Sequence, residues 1–243
     1  MEEWFKSLEK EWKIEILFAC EAGSRSWRID SPVSDQDVRF IYRHQEIRSY
    51  LSLSKPVDVI SIGVPYDSQG WDIFKALDLT AKSNPSMYEW AYSPIIYVDK
   101  NDFSRTMKAI ISEHFSSYSL VKHYLSLMTR NLRELSRKEE LEEKQQKQLI
   151  QVLRAEAMVK SMMEVGIDKG PYILVEKYGG EEYHLLVEAK KQGKLLPAHK
   201  LQKMIERVEE ELVVLEKTCL HLPRPKPFKK ELNTWLWNLL DCR

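Results

Sequence analysis

The chain has 243 residues, enough for one large domain or two modest ones with real cores, and two is the division expected here. Its 37 basic and 37 acidic side chains cancel, which excludes a global positive field as the means of holding nucleic acid and leaves any basic surface local. Cys20, Cys219 and Cys242 are odd in number, far apart and without metal-ligand spacing, excluding a disulfide framework or a cysteine zinc site, and no apolar run approaches the roughly 18 to 20 residues of a membrane helix; the expectation is a soluble cytoplasmic protein with no membrane partner.

In chain order, Trp4, Phe5, Leu8 and Trp12 recur at spacings of three to four, the pattern of a short amphipathic helix. IEILFAC, from Ile14 to Cys20, is a compact apolar run ended by a glycine turn and reads as a core strand. After Gly23, SRSWRI predicts a helical turn and DSPVSD a loop, before DVRFIY resumes as a strand. PVDVISIGVPYD is β-branched and strand-like, with Gly63 and Pro65 marking a bulge or bend. From Trp71 the period changes to that of a helix carrying Trp71, Phe74, Leu77 and Leu79 and closed by Asn84-Pro85; SMYEWAYSPIIYV follows as a second short helix or loop.

Beyond about residue 103 helical patterns dominate. The expectation is one long helix over 105–137, the solvated stretch KEELEEKQQKQ, and a restart at QLIQVLRAEAMVKSMMEV. A turn at DKGPY, helices around 181–192 and 197–220, the basic connector LPRPKPFKK, and a last helix with Trp235, Trp237, Leu239 and Leu240 complete the pattern. The fold class expected is therefore α+β: a head with a small mixed β-sheet and flanking helices over 1–102, and an all-helical C-terminal domain over 103–243.

The chemically informative stretch is EAGSRSWRIDSPVSDQDVRF, residues 21–40. It joins a strand to a glycine-serine turn and then presents Asp35 and Asp37 one residue apart; on an extended backbone Asp35, Asp37 and Arg39 would share a face. Paired carboxylates suit a hard divalent cation such as Mg2+, which takes its remaining oxygen ligands from phosphates and water, and two such ions about 3.5 to 4 Å apart clamp the oxygens of an in-line phosphoryl displacement. Gly23 permits close backbone approach to a phosphate, and Ser24 adds a hydroxyl and an amide donor. Arg39 either steadies phosphate charge or orders the carboxylates. Taken alone, D-x-D in a loop is ordinary turn chemistry.

In context, a G-S turn after a short buried strand, followed by D-x-D entering a second strand, resembles the signature of the DNA polymerase beta-type nucleotidyltransferases. GSRSW, SPVSDQDVRFIY, GWDIFKAL and KSNPSMYEWAYSPIIY together resemble a bacterial subgroup that includes the RNA-repair-pathway-associated polymerase beta-like proteins, the RlaP/YcgL-like group. Residues 14–98 carry the resemblance, which is vaguer over the helical remainder. It implies a nucleoside triphosphate and Mg2+ or Mn2+, with two ions, and transfer of a nucleotidyl group to an acceptor hydroxyl such as an RNA or DNA 3′ end, releasing pyrophosphate. Carried over, Gly23 and Ser24 grip phosphate and Asp35 and Asp37 bind metal, while a third carboxylate belongs on a neighbouring strand. Asp67, following the strand-like VISIGVPY, is the first choice; Asp72, a natural helix cap, and Asp58 are the alternatives. The nucleotide-binding set is Gly23, Ser24, Arg25, Arg39 and Lys82. Two other outcomes stay open: the same fold modifying a protein side chain or small molecule, and a catalytically silent nucleotide-binding or antitoxin-like module.

Several residues have plainer roles to set beside these. Arg25 and Trp27 replace the small residues many relatives carry there; Arg25 meets a phosphate or pairs with Glu21 or Asp30, and Trp27 reads as core. Ser83 and Asn84 read as cap and turn residues. Lys122, Arg130 and Arg133 share a helical spacing that serves a phosphate ligand or a solvated face equally well. Arg154 and Lys160 interrupt an apolar helix and either reach inward toward the cleft between head and body or, the plainer reading, are exposed charge, and the histidines show no spacing for a metal.

Overall fold

The structure, a computed structural model, describes residues 1–31, 34–138, 140–167 and 169–241. Pro32 and Val33 of the expected loop, Glu139 of KEELEEKQQKQ, Asp168 of DKGPY, and Cys242 lie outside the described residues.

Helix α1 (Glu2–Trp12) buries Phe5 and Leu8 and stops where Lys13 turns left-handed at φ 52°. Strand β1 (Ile14–Glu21) is buried at every position but Glu15, as a central strand covered on both faces must be. The turn α2 (Gly23–Ser26) leads to β2 (Asp37–His44). PVDVISIGVPYD is not one bent strand: β3 (Val59–Ile62) ends before Gly63 and β4 starts at Asp67, running to Asp72. Trp71 therefore lies in a strand, and helix α3 (Ile73–Ala81) begins only after Asp72, whose carboxylate accepts the Phe74 N–H at 2.9 Å. Helix α4 (Pro85–Ala91) is capped by Asn84, and the last part of SMYEWAYSPIIYV forms a fifth strand, β5 (Ile96–Asp99).

The five strands order as β3-β4-β2-β1-β5. β2 and β4 are parallel, with Asp37 opposite Asp67, and the other neighbours are antiparallel, so the sheet is mixed as expected. One face, with Ile16, Val38, Phe40 and Tyr42, packs under Phe5 and Leu8 of α1. On the other, Trp71 stacks on Trp90 of α4 at 4.1 Å, and Phe18 stacks on Phe103 at 5.8 Å.

The helix expected over 105–137 is two helices, α5 (Phe103–His114) and α6 (Ser117–Leu135), because the Ser116 side chain caps a new start by accepting the Ser119 N–H. α7 (Glu143–Val165), α8 (Pro171–Tyr178), α9 (Gly180–Lys191), α10 (Ala198–Thr218) and α11 (Lys229–Leu239) follow. By contact the chain forms two compact units: Met1–Arg28, Ser34–Phe115 and Lys226–Arg243 in the first, Ile29–Val33 and Ser116–Pro225 in the second. Helices α5 and α11, assigned to the C-terminal domain by the sequence reading, thus pack within the first unit. The second unit is built on α7, whose Val152, Leu153, Met158 and Val159 are buried. No described helix is long and apolar enough to cross a membrane.

Candidate active site

The site forms at one end of the sheet in the first unit, where β1 finishes and the parallel strands β2 and β4 start. Parallel pairing sets Asp37 directly opposite Asp67, so their side chains leave the same face of adjacent strands. Arg39, two residues along β2, projects to that face as well. Its Nη2 reaches Oδ1 of Asp37 at 3.3 Å and Oδ2 of Asp67 at 3.5 Å, and its Nη1 donates to the Asp67 carbonyl at 2.9 Å. Of the two roles open to Arg39 on sequence, ordering the carboxylates is the one its contacts perform.

Gly23 is required where it stands. A Cβ there would sit 1.7 Å from Oδ2 of Asp37, and its φ of +56° disfavours L side chains. The Ala22 N–H donates to the Asp37 carbonyl at 2.7 Å, pinning the glycine-serine turn to the start of β2. Burial first, then the adjoining Asp67 carboxylate, raise the Asp37 carboxyl above its ordinary range, with Arg39 pulling the other way. Two acids are thus pressed together with one guanidinium between them, and Asp67 remains the more exposed, at 61% of its side chain against 23% for Asp37.

Asp35 lies outside the strand. β2 begins at Asp37, and Asp35 is exposed on the preceding loop, with no hydrogen bond or ion pair to Asp37 or Asp67 among the described residues. Among the described residues no group of three or more His, Cys, Asp or Glu is placed to hold a metal ion. Asp72 is buried at the far end of β4, capping α3 and accepting from the Tyr50 hydroxyl at 2.6 Å; Asp58 pairs with Lys75 at 3.1 Å. Neither meets Asp37.

The other expected residues divide similarly. Ser24 follows Gly23 in the turn, and Arg25 makes no ion pair with Glu21 or Asp30 among the described residues. Trp27 is buried, at 7% exposure. Lys82 pairs with Asp78 at 2.6 Å, and Asn84 caps α4 by accepting the Ser86 N–H. Lys122, Arg130 and Arg133 lie on the exposed side of α6, and Lys160 pairs with Glu156 and Glu211.

The sequence points to Glu21 only as a partner for Arg25. The structure buries it completely at the end of β1. One carboxylate oxygen accepts the Asp37 N–H at 2.8 Å and the other accepts the Tyr97 hydroxyl. Its carbonyl accepts from the Ser93 hydroxyl at 2.7 Å. An acidic residue closing the apolar run Ile16–Cys20 just before a glycine-serine turn is the available signal.

A family model described as the RNA repair pathway DNA polymerase beta family, RlaP, matches residues 1–238. The Bacillus subtilis (strain 168) protein described as "Uncharacterized protein YcgL" is 34% identical over 131 residues, 53% of this chain and 50% of that protein, so the match spans half of that relative's length. With a mixed sheet that carries a paired-carboxylate end beside a glycine-serine turn, and a family match over nearly its whole length, the chain belongs to the RNA repair pathway DNA polymerase beta family.

Proposed function

We propose that the protein is a metal-dependent nucleotidyltransferase, moving a nucleoside monophosphate from a nucleoside triphosphate to an acceptor hydroxyl such as a nucleic-acid 3′ end. The observation that carries this reading is the Asp37–Asp67 pair, with Asp37 packed against Gly23. Its donor set, two carboxylates and no nitrogen or sulfur ligand, fits Mg2+ or Mn2+ rather than zinc, with the triphosphate and water supplying the remaining oxygens. When bound, such a cation neutralises charge on the triphosphate and on the departing pyrophosphate.

The chain's own residues position the reaction. Asp37 and Asp67 hold the cation side of the site, with Arg39 keeping them aligned until it is loaded. Gly23 lets the backbone approach a phosphate, while Ser24 and the guanidinium of Arg25, which has no ion pair among the described residues, offer donors to its oxygens. Asp67, the more accessible carboxylate, accepts the proton of the attacking hydroxyl as its oxygen bonds to the α-phosphorus and the bond to pyrophosphate breaks. Lys82 pairs with Asp78 on the surface, and the scheme does not draw on it.

One observation favours a second reading, a silent nucleotide-binding module: among the described residues no group of three or more His, Cys, Asp or Glu is placed to hold a metal ion, the nearby Glu21 being engaged by the Asp37 N–H and the Tyr97 hydroxyl. The two are separated by offering each α-labelled ribonucleoside and deoxyribonucleoside triphosphate with Mg2+ or Mn2+, and RNA, DNA and the protein itself as acceptors. Label in any acceptor, absent with Asp37→Ala/Asp67→Ala, supports transfer. Nucleotide binding without label in any acceptor supports the silent module.

A further inference from the structure

Glu21 presents a problem that burial alone sharpens. A carboxylate with no exposed surface is costly to bury unless its oxygens are satisfied. Glu21 has no ion pair among the described residues, and it sits close enough to Asp37 for its charge to oppose that of the aspartate. A side chain kept solely for packing would be apolar here, as the other fully buried positions of β1 are.

What the carboxylate does is visible in its hydrogen bonds. Backbone pairing leaves the Asp37 N–H at the mouth of the β1–β2 ladder, and one Glu21 oxygen takes it at 2.8 Å. The second oxygen is held by the Tyr97 hydroxyl from β5, and the residue's backbone is fixed on both sides: its N–H donates to the Ile95 carbonyl at 2.9 Å, and its carbonyl accepts from Ser93. Burial first, and then Glu21, push the Tyr97 hydroxyl above its ordinary range, so it stays a donor. Three strands thereby converge on one amide, and that amide belongs to the aspartate that the glycine-serine turn also contacts.

We infer that Glu21, anchored by Tyr97, is a positioning residue that fixes the Asp37 backbone and so aims the Asp37 carboxylate at its cation. This rests on the reading of Asp37 and Asp67 as the cation-binding pair. Partners one step removed from a metal ligand change affinity or activity by roughly 10- to 100-fold when removed. Glutamine keeps the geometry: its carbonyl oxygen accepts the Asp37 N–H and its amide donates to the Tyr97 oxygen. Alanine removes both contacts, and phenylalanine at 97 removes the anchor while keeping the ring.

The test is Mn2+ affinity, read by electron paramagnetic resonance, for the wild type, Glu21→Ala, Glu21→Gln, Tyr97→Phe and Asp37→Asn, with thermal midpoints and nucleotidyl transfer measured alongside. The expected order is strong weakening for Asp37→Asn, a loss of about 10- to 30-fold for Glu21→Ala, a smaller loss for Tyr97→Phe, and near recovery for Glu21→Gln. Where transfer occurs, Glu21→Ala lowers kcat more than it raises the triphosphate KM. A purely structural Glu21 would lower the thermal midpoint while leaving Mn2+ affinity of the folded protein unchanged. If Glu21→Ala does not fold, Tyr97→Phe decides.

Wild-type affinity in a folded Glu21→Ala or, where that variant does not fold, in Tyr97→Phe overturns the inference, as does a Glu21→Gln no better than alanine. Mn2+ binding without transfer in the wild type would sink the proposed reaction while leaving the positioning role to be judged by affinity. No Mn2+ binding in the wild type would overturn both.

Discussion

The two compact units each bury acidic side chains, and they treat them in opposite ways. In the second unit Glu156, 7% exposed, is met by Arg207 through two hydrogen bonds of 2.6 and 2.8 Å and by Lys160 at 2.8 Å, while Glu182 and Glu211 occupy the same cations from outside. Burial raises the Glu156 carboxyl, but Arg207 and Lys160 outweigh it and hold the group below its ordinary range. In the first unit Glu21, Asp37 and Asp67 converge, Arg39 is the one cation ion-paired with them among the described residues, and Asp37 is held above its range. A balanced cluster is a fastening; a cluster left short of positive charge has capacity for a cation and its ligands. That contrast is the physical reason for placing function at the end of the sheet.

Exchanging charge for neutral amide in each cluster breaks the comparison most directly. Asp37→Asn should reduce transfer on the order of 10³-fold or more while the thermal midpoint is unchanged or higher, since it removes a charge the fold holds unfavourably. Glu156→Gln should do the reverse: a stability loss of about 3 kcal/mol in denaturant titration, with unaltered transfer by the folded protein. Equal stability losses in the two variants would erase the distinction.

The acid side sharpens it. Because the folded carboxyl of Glu156 lies below its unfolded value, its contribution is complete above the ordinary glutamate range and is lost as pH falls through the folded value. The stability gap between wild type and Glu156→Gln should therefore shrink on acidification, as successive denaturant titrations would record. A gap that widens in acid would contradict the ion-pair assignment. A smaller effect belongs to Asp72, whose role is to cap α3: Asp72→Ala should cost about 1 kcal/mol in the same titrations and leave Mn2+ affinity intact.

How much of this was legible in the sequence depended on whether the signal was local. β1 and β2 announce themselves by apolar runs and turn residues, and the glycine-serine turn and Asp37 came from short spacing. β4 was hidden because DSQGWD is polar and carries Gly70, which is there for close approach: a Cβ would lie 2.1 Å from the Phe40 ring. β5 has only four residues, and the break between α5 and α6 rests on one serine cap without glycine or proline. The proline of DKGPY was read as a turn, although Pro171 opens α8 at a position where its missing N–H costs nothing.

The site divides along the same line. Asp67 could be nominated from the strand-like run before it, but its place opposite Asp37 is a matter of parallel register, which no local pattern encodes. The exposed position of Asp35 follows from where β2 begins, and the Glu21–Tyr97 contact joins residues brought together only by the pairing of β1 with β5.

The partnership of Asp37 with Asp67, rather than with Asp35 or Asp72, is the central claim, and single-variant transfer rates test it most directly. Rates for Asp37→Asn, Asp67→Asn, Asp35→Asn and Asp72→Asn, each at matched folded concentration, should fall into two groups: Asp37→Asn and Asp67→Asn both crippled, the other two within a few-fold of wild type. Wild-type turnover in Asp67→Asn, or a loss in Asp35→Asn as deep as in Asp37→Asn, would contradict it.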